Sequence, residues 1–421
     1  MVSCARLASA RSLAPARWLA IFSLMLANAA AAQGVAPPAP AGDKPFGGFE
    51  PVLHLRTFYL DQESLTGVPA SAWALGGWAG VRSPWWGDMF QLGVVGYTSL
   101  KLYGPDDKDG TRLLGPGQES IAVLGEAFGS LRVLGQTFTG YRQRINRPFI
   151  NIQDNRMVPN TFEAYTLTGA ASDVSYTGGY ITKIKKRDSE HFVWMSDGAG
   201  GSGEHKGTAF AGATWDFVKN GYVRADFQQT TNVFNTFYAD GKYPIALDAQ
   251  TVLVLGAQYI HQKSVGDAQI GNFSTWGAGV QAAISRGPFG GQLYYTQTGK
   301  GFDTQNPYGD HPSYLYLMQV AFNTAGEQAW GIGGTVDFAT LGAPGFTASA
   351  IYASGSRRVN ATTGAAIPDR DETNVRADYA FPKGTMLQGL VATLRYSWLH
   401  QDGSPQTAPQ LRAYVNYDVR F

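Results

Sequence analysis

The sequence has a single cysteine, almost no net charge and, after Ala32, no apolar run long enough for a membrane helix. The cysteine is Cys4, so the rest of the chain has no thiol for a disulfide, a metal site or a nucleophile. A net charge of +1 argues against nucleic acid, whose partners carry strongly basic faces. The six histidines lack metal-ligand spacing, and no Gly-x-Ser-x-Gly elbow occurs. We therefore expect no enzyme activity, metal or cofactor.

The N-terminus has the parts of a secretory signal peptide. Arginines precede the apolar run Trp18–Ala32, which ends in small residues suited to cleavage after Ala32. The run is shorter than the roughly 20 residues that a spanning helix needs, which disfavours a membrane anchor. We expect residues 1–32 to be a signal peptide, residues 33–48 a Pro/Ala-rich periplasmic tether, and residues 49–421 one domain.

Glycine and aromatic residues are abundant, with 52 Gly, 21 Tyr, 23 Phe and 10 Trp. This bias is typical of membrane β-barrels with aromatic girdles and many turns, although soluble all-β proteins can share it. Segments such as Leu390–Trp398 alternate between apolar and polar residues, as strands with two different environments do. Without a membrane helix, a membrane protein must be a closed barrel.

The connections between the predicted strands alternate between long and short. Long polar segments fall near 60–69, 100–116, 139–160, 186–206, 229–246, 262–271, 299–313, 354–370 and 400–409. Short turns fall near Ser83, Phe128, Gly169, Val218, Ser285, Asn323, Gly342 and Pro382. This strict alternation predicts an all-β, antiparallel transmembrane β-barrel of 18 strands, with long extracellular loops and short periplasmic turns.

The last strand, LRAYVNYDVRF, separates apolar from polar residues and ends in an aromatic residue, Phe421. It resembles the terminal strand by which outer-membrane barrels are recognised for insertion. We therefore expect the barrel-assembly machinery to bind Phe421, and the protein to lie in the lipid of the outer membrane of a Gram-negative bacterium.

The third long segment is a polar excursion of roughly twenty residues, a length usually associated with a functional loop. We expect it to fold into the lumen and form a constriction. Its charged residues are the candidate solute contacts: Arg142, Arg144, Arg147, Asp154 and Arg156. For Asp154 and Arg156, a salt bridge that fixes the loop is favoured over contact with an amino acid.

Two segments, NIQDNRMVPNTFEAYTLTG at 151–169 and SYTGGYITKIKKRDSEHF at 175–192, resemble the OprD family of outer-membrane porins. The general layout agrees over nearly the whole mature chain. The resemblance implies an 18-stranded barrel, a third loop folded inward and a ladder of basic residues along the wall. It also implies passage of small carboxylate-bearing solutes, such as amino acids or aromatic and aliphatic acids.

Alternation along the strands predicts which basic residues face the lumen: Arg56, Arg132, Lys183, Lys185, Arg224, Arg376, Arg395, Arg412 and Arg420. Successive cations would give an anion a series of weak sites, and the planar arginine fork matches a carboxylate. For any one residue, pairing with a wall carboxylate is an equal alternative; the candidates are Glu126, Glu163, Asp226 and Asp378.

The sequence thus predicts a passive, substrate-selective porin. The alternatives are a hydrolase built on an outer-membrane barrel and a structural or adhesin barrel with a plugged lumen. The preferred solute, and the choice between a monomer and a loose trimer, stay open.

Overall fold

The structure, a computed structural model, describes residues 45–65, 67–201, 203–404 and 407–419. The predicted signal peptide, most of the tether, Arg420 and Phe421 lie outside the described residues. The roles assigned to them, including recognition of Phe421 by the assembly machinery, stay predictions.

The described chain is almost entirely β-strand. Its strands are β1 (Glu50–Gln62), β2 (Ala70–Arg82), β3 (Phe90–Tyr103), β4 (Ile121–Val133), β5 (Gln136–Gln143), β6 (Thr161–Ala171), β7 (Val174–Lys185), β8 (Phe192–Trp194), β9 (Thr208–Val218), β10 (Gly221–Thr230), β11 (Phe234–Ala246), β12 (Thr251–Ser264), β13 (Ser274–Arg286), β14 (Phe289–Thr298), β15 (Gln328–Asp337), β16 (Phe346–Ser356), β17 (Arg370–Ala380), β18 (Leu390–Gln401) and β19 (Ala408–Val419). One α-helical turn, Met195–Gly198, and the 3₁₀ turns Pro45–Gly48, Asp106–Lys108, Pro116–Gln118 and Phe338–Leu341 complete the regular elements. None of the helices in these ranges is long and apolar enough to cross a membrane.

Eighteen of these strands form a closed antiparallel ring. Each pairs with its neighbours in sequence, except that β7 pairs with β9 and the short β8 pairs only with the end of β7. The first and last strands close the ring through ten residue pairs, from Leu53 opposite Val419 to Gln62 opposite Gln410. No edge strand is left unpaired in the ring, which a lipid environment requires. The predicted 18-stranded antiparallel barrel is confirmed.

The two faces of the wall differ as a membrane barrel requires. Leu55 points outward and is 45% exposed, whereas its neighbour Arg56 points inward and is 7% exposed. The other large apolar residues exposed on strands include Leu75, Val94, Val280, Leu293, Ile332 and Leu394. Apolar residues therefore cover the outside and polar residues line the inside, the reverse of a soluble barrel.

The connections differ in detail from the prediction. The predicted loop 229–246 is mostly β11, and only residues 231–233 link β10 to β11. Because the inward face of β11 carries Thr236, Asp240 and Lys242, this strand has the composition of a loop. The strict alternation of lengths is therefore wrong.

Two predicted turns are also misplaced. Phe128 lies within β4, and the turn is at 134–135. Asn323 lies within one long connection, 299–327, whereas the short connection 247–250 was missed. These errors offset one another, so the predicted total of 18 barrel strands is unaffected.

The lumen is partly filled by loops that pack on the inner wall. Leu113 and Met157, from two different loops, are fully buried against Leu60 of β1. Tyr308 is buried with Phe162 and Phe234 in a second cluster. The apolar clusters thus lie between the loops and the inner wall, and they position the loops within the lumen.

The seam between β1 and β19 can be tested by cross-linking. Thr57 and Val415 are direct partners across it, at a separation compatible with a disulfide. We expect the variant Thr57→Cys/Val415→Cys to form a disulfide in the folded protein, detected as a gel-mobility shift that reduction reverses. The control pair Thr57→Cys/Leu293→Cys places the second cysteine on β14 and should not cross-link. A folded seam variant that stays reduced under oxidising conditions would contradict the closure.

Candidate functional site

A loop of residues 144–160, here called the constriction loop, crosses the lumen. Near its start, Arg147 Nε donates to Asp226 Oδ1 on β10 at 2.7 Å. Further along, Asp154 Oδ1 accepts from Arg56 Nη1 on β1 at 2.6 Å. Because β10 is the ninth strand of the ring, eight steps separate it from β1, and the two strands form nearly opposite walls. The constriction loop therefore spans the barrel.

The contact with β1 fixes the far end of the constriction loop. Arg56 also donates to the Arg156 carbonyl and, through Nε, to Asn416 Oδ1 at 2.6 Å. Burial by itself raises the pKa of Asp154, but the charge and hydrogen bond of Arg56 outweigh burial, so that pKa lies below its ordinary value. Asp154 is thus an ionised anchor, and its partner is Arg56 instead of Arg156.

A second loop, residues 299–327, connects β14 to β15, which lie across the ring from β5 and β6. It enters the lumen and is here called the lumenal loop. Its anchor is Glu372, a fully buried residue of β17. The Glu372 carboxylate accepts from the backbone N–H groups of Met318, Gln319 and Val320 at 3.0, 2.9 and 2.9 Å. Three N–H donors satisfy the buried carboxylate, which fixes the loop against the wall.

The sequence analysis missed this loop because its middle is apolar. Leu315 and Phe322 are buried against Ala353 and other residues of the inner wall. An apolar segment between two polar stretches reads as a strand, so the loop was predicted to end near Ser313.

The two loops meet at Asp310. Asn151 Nδ2 donates to the Asp310 carbonyl at 3.1 Å, and the Asp310 N–H donates back to Asn151 Oδ1 at 2.8 Å. Asn155 Nδ2 donates to the Asp310 carboxylate at 2.8 Å, and Arg187 donates to Asn155 Oδ1. The constriction loop and the lumenal loop are therefore held together by hydrogen bonds as one narrowing element.

A cavity of about 860 Å³ lies between these loops and the wall. Its charged lining residues are eight arginines and three carboxylates: Arg112, Arg147, Arg156, Arg187, Arg224, Arg376, Arg395, Arg412, Glu63, Asp154 and Asp310. The formal excess is five positive charges, from eight minus three. Arg112 and Arg187 were not predicted, because they lie in loops where strand alternation gives no direction.

Three of these arginines form a row across adjacent strands, here called the arginine row. Arg376 of β17 is directly opposite Arg395 of β18, which is directly opposite Arg412 of β19. Like charges in directly opposed positions destabilise a sheet.

The three members differ in how they are engaged. Arg376 Nε donates to Asp378 at 2.6 Å, and Arg412 donates to Gln410 at 2.8 Å and to the Met318 carbonyl at 2.6 Å. Arg395 has no hydrogen bond or ion pair with any residue that the structure describes. Its guanidinium is therefore available to a solute.

Arg156 is a second site of uncompensated positive charge. Its guanidinium donates to the carbonyls of Thr111 at 2.7 Å and Asn155 at 2.8 Å, and these partners carry no charge. Burial lowers the pKa of Arg156 well below its ordinary value, and the positive charges of Arg412 and Arg187 lower it further. An anion beside Arg156 would raise this pKa and so oppose the effect of the two neighbouring arginines.

Four other predicted cations contact the wall, a short turn or the constriction loop. Arg144 donates to Glu126 at 2.7 Å, and Arg224 donates to Asp240 at 2.7 Å. Lys185 is fully buried and donates to the Pro159 carbonyl at 2.9 Å. Arg132 lies near the short-turn end, 4.0 Å from the ring centre of Trp85. These four contacts hold the wall and the loops together.

Arg142 and Lys183 lie on the outer face of the wall, contrary to the prediction that they face the lumen. Arg142 ends β5 beside Glu163, with 3.1 Å between Nε and Oε1, and Lys183 is directly opposite Glu163. Glu163 shares its face with Tyr165, which is 66% exposed. A β-bulge shifts the register between residues 163 and 164 of β6, so Lys183 faces opposite to Ile181.

The described residues contain no group of three or more His, Cys, Asp and Glu side chains placed to hold a metal ion.

A family model described as outer membrane porin, OprD family, matches residues 47–421. A search of curated proteins finds no match.

Solved structures with the same fold are porins. A BenF-like porin from Pseudomonas fluorescens Pf-5 has a TM-score of 0.81 at 20% identity, covering 89% of this chain and 99% of that one. OccK9 (OpdG) from Pseudomonas aeruginosa also has a TM-score of 0.81 at 20% identity, with coverages of 88% and 98%. OpdK from Pseudomonas aeruginosa, solved with vanillate, has a TM-score of 0.78 at 18% identity, again with coverages of 88% and 98%. At these identities the likeness shows the fold.

The anchor of the lumenal loop can be tested by hydrogen exchange. In Glu372→Ala the three backbone donors lose their acceptor, at a cost of about 1–3 kcal/mol for each unsatisfied group. We expect amide exchange across residues 318–320 to rise about tenfold or more while the barrel stays folded. Asp371→Ala removes the neighbouring carboxylate of the same strand and should leave this exchange unchanged. Equal protection in wild type and Glu372→Ala would show that the carboxylate does not hold the loop.

Proposed function

This chain belongs to the OprD family of outer-membrane porins, and we propose that it passes small carboxylate-bearing solutes down their concentration gradient. It is a substrate-specific channel of the Gram-negative outer membrane, and its family consists of porins, not enzymes. The proposal concerns the class of solute. The observation that carries it is the arginine row, in which the central Arg395 forms no hydrogen bond or ion pair with the described part of the chain.

The charge of the cavity favours anions. Four of its eight arginines are paired with carboxylates of the wall or loops. The other four form no ion pair with any described residue and make the narrowing electropositive: Arg156, Arg187, Arg395 and Arg412. Two of the three lining carboxylates are already engaged. Asp154 is bound by Arg56, and Asp310 by Asn155. Few acceptors are left for an ammonium group, so carboxylates without a second, positive charge fit this cavity better than zwitterionic amino acids.

Arginine is suited to this task. Its planar fork donates two parallel hydrogen bonds to a carboxylate. A solute could pass from Arg156 to Arg395, which line the same cavity, without a deep energy minimum at either. Such a series of moderate sites permits both entry and release. OpdK, a structural neighbour, was solved with vanillate, an aromatic carboxylate, which supports the same class of solute here.

The constriction loop contributes mainly by shape. Arg147 and Asp154 tie it to opposite walls, so they set the width of the passage. Arg144 is likewise paired, with Glu126. We propose the cavity-lining residues Arg156, Arg376, Arg395 and Arg412 as solute contacts, with Arg395 as the principal one. Arg56, Arg144, Arg147, Lys185 and Arg224 act as supports of the wall and the constriction loop.

The role of Arg395 can be measured in planar bilayers. Arg395→Ala should lower the anion preference, seen as a shift of the zero-current potential in a salt gradient towards zero. It should also weaken current block by an aromatic carboxylate such as benzoate about tenfold, equivalent to ~1.4 kcal/mol. Arg142→Ala is the matched control, since it removes the same charge from the outer face.

The proposal would be wrong if Arg395→Ala and wild type showed the same selectivity and the same block. A channel with intact anion preference but no block by any carboxylate of a panel would keep the porin assignment and reject the solute class.

A further inference from the structure

A pocket of about 540 Å³ opens on the outside of the barrel, at the loop ends of β13 to β16. Trp276, Gln297 and Gln328 contribute side chains to it from three successive strands. Each faces outward, because the residue next to it in its strand is buried on the inner side: Thr275, Thr296 and Ala329, respectively. This outer pocket is therefore separated from the channel cavity by the barrel wall.

The pocket lies at the depth of the lipid headgroups. Below it, Tyr295 and Trp330 are exposed on the outward face, and Trp330 is 50% exposed. Exposed Tyr and Trp mark the interface of the apolar band. On β14 and β15 the next outward positions towards the loops are Gln297 and Gln328, so the surface changes from apolar to polar at the pocket.

Three cations line the outer pocket: Lys300, Arg357 and Arg358. Lys300 and Arg357 are exposed, and neither side chain has a hydrogen bond or ion pair with the described residues. Arg358 is 8% exposed, and its Nη1 donates to the Pro368 carbonyl at 2.7 Å and to Gln401 Oε1 at 3.2 Å. Its Nε has no hydrogen-bond partner among the described residues and lies 3.9 Å from Glu327 Oε1. Positive charge is therefore concentrated here, and the two exposed cations have no side-chain partner among the described residues.

The backbone brings two of these cations together. A Cβ on Gly326 would lie 2.9 Å from the Arg357 carbonyl oxygen and 3.5 Å from Lys300 Cγ, so both residues flank this glycine. Gly326 has φ +75° and Arg357 has φ +62°. A positive φ is uncommon for a non-glycine residue, so the surrounding structure must hold Arg357 in this conformation.

We propose that the outer pocket binds a phosphate group of the phosphorylated glycolipid that forms the outer leaflet of the membrane. Lys300 and Arg357 would contact the phosphate, with Arg358 as the buried cation behind them. Arginine and lysine form strong, charge-assisted hydrogen bonds with phosphate. Trp276 at the pocket, and Val359 and Ala366 in its lining, provide apolar contact for the sugar and the start of an acyl chain.

The outer location selects a lipid over a free ion. The pocket opens beside the lipid-facing wall, where headgroup phosphates are concentrated, and cations near anionic headgroups bind them electrostatically. The site is independent of the proposed solute class, because none of its residues lines the channel cavity.

Native mass spectrometry of the purified barrel in detergent micelles tests this assignment. The probes are lipid A bearing two phosphates, the same lipid with its phosphates removed, phosphatidylglycerol and inorganic phosphate. We expect lipid A to bind, and Lys300→Ala/Arg357→Ala to bind it roughly tenfold more weakly. Lys219→Ala/Arg286→Ala removes two exposed cations from the short-turn end and should bind as wild type.

Each other result would overturn the proposal. Equal lipid A binding by the two double variants would remove Lys300 and Arg357 from the site. Equal binding of the dephosphorylated lipid would show that phosphate is not recognised. If phosphatidylglycerol or inorganic phosphate bound as tightly as lipid A, the glycolipid would not be the specific ligand. The folding control for Lys300→Ala/Arg357→Ala is channel conductance, which should equal that of wild type because neither residue lines the channel cavity.

Discussion

Everything in this structure depends on the closure of the sheet between β1 and β19. In lipid, an unpaired backbone N–H or C=O costs several kcal/mol, and the ten pairs from Leu53–Val419 to Gln62–Gln410 leave neither strand with an open edge. Closure also creates the two environments that strand alternation then separates. Leu55 lies in lipid while Arg56, the next residue, reaches the lumen. The same closed ring encloses a polar interior that is large enough to hold loops.

The interior uses its arginines for two purposes. Where a carboxylate is near, as for Arg56 with Asp154 and Arg144 with Glu126, the pair fixes a loop to the wall. Removing one partner of such a pair would leave a buried charge unmatched, which is costly. Arg395, in contrast, forms no ion pair with any residue that the structure describes, and in the proposed function its charge is left for a passing anion. The paired arginines thus set the shape of the passage, and the unpaired ones carry the anion preference that we propose.

Period-two alternation was enough to predict the inward direction of Arg395, and counting the connections was enough to predict the strand number, because the misplaced turns offset one another. The rest could not, for physical reasons. An extra residue at the bulge beside Glu163 reverses the face of Lys183, and a bulge leaves no mark in the alternation. The partner of Asp154 is 98 residues away, so only the closed ring brings the two together. The lumenal loop was missed because burial against the inner wall gives Leu315 and its neighbours the composition of a strand.

The central claim is that the narrowing inside the barrel is electropositive and open to small anions. The zero-current potential of the unmodified, full-length barrel across a planar bilayer in a potassium chloride gradient tests it most directly. We expect ion conduction with a potential whose sign shows that chloride is more permeant than potassium. A potential of the opposite sign, or a folded barrel that conducts no ions, would contradict the account.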